Sequence, residues 1–167
     1  MNPISLRSVS KKDWPVILAW LKRPHLATSW GPTESIYREL QSHPPSDLRI
    51  VSHHRVPIGL VCWQILTPAE LSVAGLSDLP TGLTDIDIMI GEPEYLYQGY
   101  GTRALALLIE QLREQGVTWI GLATQISNAP ALKSFQKLRF HPFRDFDENG
   151  ERYVYLTQGL KNTTLKR

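Results

Sequence analysis

Between Asp85 and Leu112 the side-chain period of this sequence changes from that of a strand to that of a helix across a pair of glycines. That change limits what the chain can fold into. Asp85 and Asp87 share one face of a strand predicted over Asp85 to Ile90, because strand side chains alternate. From Thr102 the apolar residues Leu105, Leu108, Ile109 and Leu112 recur at helical spacing until Gly116 ends the run. Between the two lies Gln98-Gly99-Tyr100-Gly101-Thr102-Arg103. Glycines at a strand-to-helix turn let backbone N–H groups approach an anion at the positive end of the helix. They also serve a sharp connection with no ligand at all, and the turn alone does not choose. A nucleotide-hydrolysing P-loop needs Gly-Lys followed by Ser or Thr, which is absent. A dinucleotide fingerprint is nominally met by Gly99, Gly101 and Ala104. It also needs an acid about 20 residues on, and Trp119 to Gln125 supplies none.

The remaining elements are read in the same way. Ile4 to Val9 alternates as a strand. Trp14, Ile17, Leu18 and Leu21 then recur as a helix behind Ser10 or Asp13, with Pro15 in the first turn favouring Asp13 as the cap. Arg23 to Pro32 reads as a loop, and Thr33 to Leu40 as a short helix. Leu48 to Ser52 and Ile58 to Leu66 form a hairpin around His54 to Pro57, and Thr67 to Thr84 reads as a long loop. After the helix come a strand over Thr118 to Ala123 and a helix opened by Asn128 and Pro130. Two strands follow, Arg139 to Phe146 and Tyr153 to Thr157, around Asn149-Gly150. The predicted order is β-α-α-β-β-β-α-β-α-β-β, a mixed α+β layer fold around one sheet.

At 167 residues one domain is expected, over 1–160, with a short basic tail at 161–167 carrying Lys161, Lys166 and Arg167. Hydrophobic residues make up 42% and charged residues 20%, and no apolar run approaches the roughly 20 residues of a membrane span. No membrane partner is therefore expected. Met1 to Lys12 does not read as a signal peptide, and the lone Cys62 suits packing in a buried strand, so a cytoplasmic location is expected. A net charge of +2 is too small to argue for nucleic acid.

Pro93-Glu94-Tyr95-Leu96-Tyr97-Gln98-Gly99-Tyr100-Gly101 resembles the coenzyme A pyrophosphate loop of the GCN5-related N-acetyltransferase (GNAT) superfamily. Leu96 stands where that family usually has Arg or Gln. Asn128, Ala131, Phe135, Leu138 and Phe140 are similar to the family's second signature. With Trp20-Leu21, Arg23, His25 and Trp30-Gly31, the resemblance covers nearly the whole chain and is greatest to the aminoglycoside 6'-N-acetyltransferase branch. It implies a GNAT-like single domain with a curved, mostly antiparallel sheet flanked by helices on both faces. It implies acetyl-CoA as cosubstrate and no metal. The coenzyme contacts it implies are Met89, Ile90, Gln98, Gly99, Tyr100, Gly101, Thr102, Arg103 and Asn128. Asp87 falls at the acid that receives the amine and is expected to act as base and anchor, with Asp85 second and Trp30 as a stacking surface for the acceptor.

Acetyl transfer needs a neutral amine, so a carboxylate or a water chain must take the ammonium proton. Many relatives protonate the leaving thiolate with a Tyr where this chain has Phe135, which leaves solvent, Tyr97 or Ser134 for that step. A polycationic acceptor would call for several acids, and Asp85, Asp87, Glu92, Glu94, Asp147 and Glu148 are candidates. Ala123 and Thr124 occupy a region where the aminoglycoside enzymes carry a further acid. The expected partner is a small cationic amine, first the 6'-amine of an aminoglycoside, which would make the protein an antibiotic-resistance enzyme. Another small amine, a protein N-terminus or a non-catalytic acyl-CoA sensor stand as alternatives, and the assembly is expected to be a monomer or homodimer.

Overall fold

A computed structural model describes residues 3–160, and the expected tail at 161–167 lies outside the described residues. The chain order is β1 (Ile4–Ser8), α1 (Trp14–Leu21), α2 (Pro24–Trp30), α3 (Thr33–Ser42), β2 (Leu48–His53), β3 (Val56–Ile65), α4 (Pro68–Val73), β4 (Thr84–Ile90), α5 (Tyr100–Glu114), β5 (Trp119–Gln125), α6 (Ala129–Lys137), β6 (His141–Glu148) and β7 (Glu151–Gly159). Strands are hydrogen-bonded in the order β1-β2-β3-β4-β5-β7-β6. Pairing is antiparallel at β1–β2, β2–β3, β5–β7 and β7–β6, and parallel at β4–β5. The chain groups into two compact units, residues 1–63 with 87–108 and residues 64–86 with 109–167.

In the first unit, His54 and Arg55 take positive φ values of 46° and 69°, as the two central residues of a tight hairpin turn require. Gly91 closes the β3–β4 side by donating its N–H to the Ile58 carbonyl at 2.8 Å. A Cβ on Gly59 would lie 2.2 Å from the Met89 carbonyl oxygen, so β3 approaches β4 only because that residue is glycine. Ile17, Trp20, Leu21, Leu26 and Leu40 from α1, α2 and α3 pack on Leu48, Ile50, Leu60, Cys62 and Met89 of the sheet. Ile88 and Ile90 alternate with Met89 onto the opposite face, where α5 begins and where a Cβ on Gly101 would sit 3.7–3.8 Å from both side chains. This unit therefore carries helices on both faces.

One buried charge closes the short turn before α1, although its side chain makes no cap bond to that helix. Asp13 is 5% exposed, yet its carboxylate accepts two N–H bonds from Arg7 at 2.8 Å each and the Ser10 N–H at 2.7 Å. The Arg7 hydrogen bonds above all hold the Asp13 carboxyl down at about 2. A carboxyl depressed in the fold stabilises it at every pH above the unfolded value near 3.9, and that stabilisation is lost as pH falls towards 2. Asp13→Asn should lower unfolding stability by about 2 kcal/mol at pH 7 and by much less at pH 2.5, measured by urea titration at the two pH values.

In the second unit, Thr84 and Asp85 of β4 pair with Ile120 and Gly121 of β5. The β6–β7 hairpin turns at Asn149 and Gly150, both at positive φ. Leu71, Leu76, Leu79 and Leu83 cluster with Tyr155, and Leu66 and Phe146 pack against them. Arg144 hooks the segment after α4 to β6 through a two-pronged contact with Asp78 at 2.9 and 2.7 Å.

Two segments expected to be loops contain helices. Within Arg23 to Pro32 the structure forms α2, with Pro24 at its first position, where proline's missing N–H costs nothing. Within Thr67 to Thr84 it forms α4, started by a reciprocal cap in which the Thr67 hydroxyl accepts the Glu70 N–H and the Glu70 carboxylate accepts the Thr67 N–H. The helix count of the predicted order rises accordingly.

Candidate active site

The turn that follows β4 is built from backbone geometry. Pro93–Tyr95 makes one 3-10 turn, Tyr97 takes φ 60° and Gly99 φ 84°, and the Arg103 N–H bonds the Gly99 carbonyl at 3.1 Å to start α5. The amides of Tyr100 and Gly101 thus belong to a first helical turn, whose N–H groups point out along the axis with the positive end of the helix dipole. A Cβ on Gly99 would meet nothing within 4 Å, so this position requires glycine for its φ and leaves the approach open. Gly99→Ala should weaken coenzyme binding about tenfold by shifting the turn, read by calorimetry.

The side chains of the turn engage neighbouring parts of the first unit. Gln98 turns back to donate to the Glu94 carbonyl, so its amide braces the preceding 3-10 turn. Tyr100 is half-buried in an aromatic triangle with His53 and Tyr95, at ring separations of 4.9 and 5.1 Å, and the Arg103 guanidinium lies 5.0 Å over the Tyr100 ring. Desolvation, and then the positive charges of His54 and Arg103, hold the His53 imidazole below its usual pKa. These groups fasten both ends of the turn to the β2–β3 hairpin.

The end of β4 is fastened a second time. The Trp20 indole, fully buried, donates to Glu92 Oε1 at 2.8 Å, and Arg23 lies 3.3 Å from Glu92 Oε2. A Cβ on Gly91 would fall 2.0 Å from the Trp20 ring. His25 Nε2 lies 2.9 Å from the Ile90 carbonyl and donates to it, which gives His25 a packing role at the strand end. Glu92 is thereby committed to Trp20 and Arg23.

Among the acids, Asp87 is exposed and Asp85 is half-buried, accepting the Tyr155 hydroxyl at 2.8 Å. Met89 is buried in the core, so its backbone is what it can offer a ligand, and Ile90 is half-buried with its carbonyl held by His25. Trp30 is half-buried against the first unit's core at the end of α2. Asp145 and Asp147 both face Arg152, at 3.6 and 3.2 Å. Asn128 caps α6 by accepting the Ala131 N–H at 3.3 Å. Phe135 is buried edge-on to Phe140, while Tyr97 is 85% exposed. Among the described residues no cluster of His, Cys, Asp and Glu could hold a metal ion, and no helix is long and apolar enough to cross a membrane. Sequence spacing does not show the contacts of Trp20 with Glu92 and of Tyr155 with Asp85, since the partners lie 72 and 70 positions apart.

A strand feeding a glycine turn at a helix start, with acids on the same strand, is the arrangement this part of the chain presents. The model of the GNAT acetyltransferase domain matches residues 9–148, and the chain belongs to that family of acetyl-CoA-dependent N-acetyltransferases. Alpha/beta-tubulin-N-acetyltransferase 9 of Mus musculus is 43% identical over 72 residues, spanning 39% of this chain and 28% of that protein. Aminoglycoside acetyltransferase AAC(6')-Ib with ribostamycin and coenzyme A superposes with a TM-score of 0.78 at 20% identity, covering 99% of this chain and 98% of that one. The aminoglycoside N(6')acetyltransferase of Legionella pneumophila gives 0.72 at 15% identity over 96% and 94% of the two chains. At these identities the structural likeness speaks for the fold.

Proposed function

We propose that this protein acetylates a primary amine on a small cationic acceptor, with the coenzyme pyrophosphate on the backbone of the Gln98–Arg103 turn and Asp87 as base and anchor. The observation that carries the reading is the turn itself, with Gly99 in the left-handed region, open space where a Cβ would stand, and α5 starting directly after it. The bound thioester supplies an acetyl carbonyl reactive towards amines. Asp87 takes the ammonium proton, because only the neutral amine attacks. Asp85 supports it two residues away on the same strand. Thr102 and Asn128 complete the proposed coenzyme set, and Trp30 the acceptor surface. Phe135 cannot protonate the thiolate, which leaves solvent, Tyr97 or Ser134.

The aminoglycoside 6'-amine is the first acceptor to test, since solved aminoglycoside acetyltransferases share the fold along almost the whole chain. A second reading, an acceptor with fewer charges such as a protein N-terminus or a simple amine, is favoured by the acids already paired with arginines. Glu92 is tied to Arg23 and Asp147 to Arg152, which engages two of the six carboxylates a polycation would use. Thiol release from acetyl-CoA against kanamycin-type aminoglycosides, polyamines, lysine derivatives and N-terminal peptides, with calorimetry in parallel, separates these. Turnover ranks the acceptors. Coenzyme binding without turnover supports a sensor, and no coenzyme binding overturns the proposal.

A further inference from the structure

We infer that Tyr155 is a positioning residue for the acceptor, acting through Asp85. This rests on the reading of Asp85 as part of the acceptor site. Tyr155 is 4% exposed, its ring packed among Leu71, Leu76, Leu79 and Leu83, yet its hydroxyl reaches Asp85 Oδ1 at 2.8 Å. The ring can lie there because the β5 residue beneath it is Gly121. A Cβ at that position would stand 2.3 Å from the Tyr155 hydroxyl oxygen and 2.6 Å from its ring carbons. The parallel pairing of Asp85 with Gly121 sets the carboxylate and the phenol on neighbouring strands, and Ala123↔Tyr155 pairing holds the other side. A small residue, a large buried phenol and a carboxylate thus form one fitted group.

A buried phenol whose only gain were apolar packing would be served as well by phenylalanine, since a buried hydroxyl costs stability unless it is hydrogen-bonded. Here the hydroxyl is spent on an anion. An O–H donated to a carboxylate favours its charged form and fixes its plane, which prepares Asp85 to hold a cation without reorganising. Tyr155 touches no reacting atom in this scheme. Its effect falls on acceptor binding, leaving the chemical step to Asp87.

The test uses the full chain and the best amine of the panel. Tyr155→Phe is expected to raise KM for the amine about tenfold, with kcat and the KM for acetyl-CoA within about twofold of wild type. Asp85→Asn should raise the amine KM at least as much, and the double variant should add nothing to Asp85→Asn, because the phenol acts only through that carboxylate. The carbon-13 shift of the Asp85 carboxyl in the free protein should also move in Tyr155→Phe, a readout that needs no turnover. An unchanged amine KM in Tyr155→Phe, or additive effects in the double variant, overturns the inference while Asp85 remains an anchor. An unchanged KM in Asp85→Asn, or no amine turnover by wild type, overturns the parent reading and this one with it.

Discussion

Asp87→Asn should lower kcat for amine acetylation about a hundredfold or more, the usual contribution of a positioned general base. Asparagine keeps the shape of the side chain and cannot accept the ammonium proton. Asp87 is exposed, and substitutions at exposed positions usually change stability by about 0.5 kcal/mol or less. Coenzyme affinity should be unchanged, since the turn is built from backbone amides past residue 97. Steady-state rates, calorimetry with acetyl-CoA and a urea midpoint together check the three parts. Full activity in the variant would move the base elsewhere, first to Asp85 or a water chain.

Gly91→Ala should be strongly damaging in the first unit, costing about 3 kcal/mol or more. The added carbon would lie 2.0–2.3 Å from three atoms of a tryptophan ring that is itself fully buried. Neither side can yield, because the ring is pinned by its bond to Glu92 and the Gly91 N–H is held by Ile58. The loss should appear in the urea midpoint and in quenching or shift of tryptophan fluorescence as Trp20 leaves its site. Coenzyme binding should weaken too, since Gly91 and Glu92 lead directly into the turn. An alanine variant with wild-type stability would mean that Trp20 has a second resting place.

Much of this was readable from residue patterns, and the failures have physical causes. α5 is plain in the sequence because Leu105, Leu108, Ile109 and Leu112 are buried together on one face. α2 and α4 have one buried residue each, Leu26 and Leu71, so neither gives a period to read. α4 is started by the local Thr67–Glu70 cap and not by an apolar period. The glycine turn was legible as a strand-to-helix connection because Gly99 takes a positive φ and α5 starts directly after it. The fate of the acids was not, since Glu92, Asp145 and Asp147 are committed by contacts with side chains that no spacing rule brings near. Gln98 illustrates the same limit at short range, for its amide bonds the Glu94 carbonyl four residues back.

The first unit is assembled from two separate lengths of chain, and this bears on how the protein is made. When residue 63 leaves the ribosome, Trp20 still lacks Glu92, and Met89 is missing from the core that Ile17 and Leu60 share. At about 5–20 residues per second, translation through residue 108 leaves that apolar surface unsealed for roughly a few seconds. A translational pause placed between β3 and β4 would lengthen the exposure.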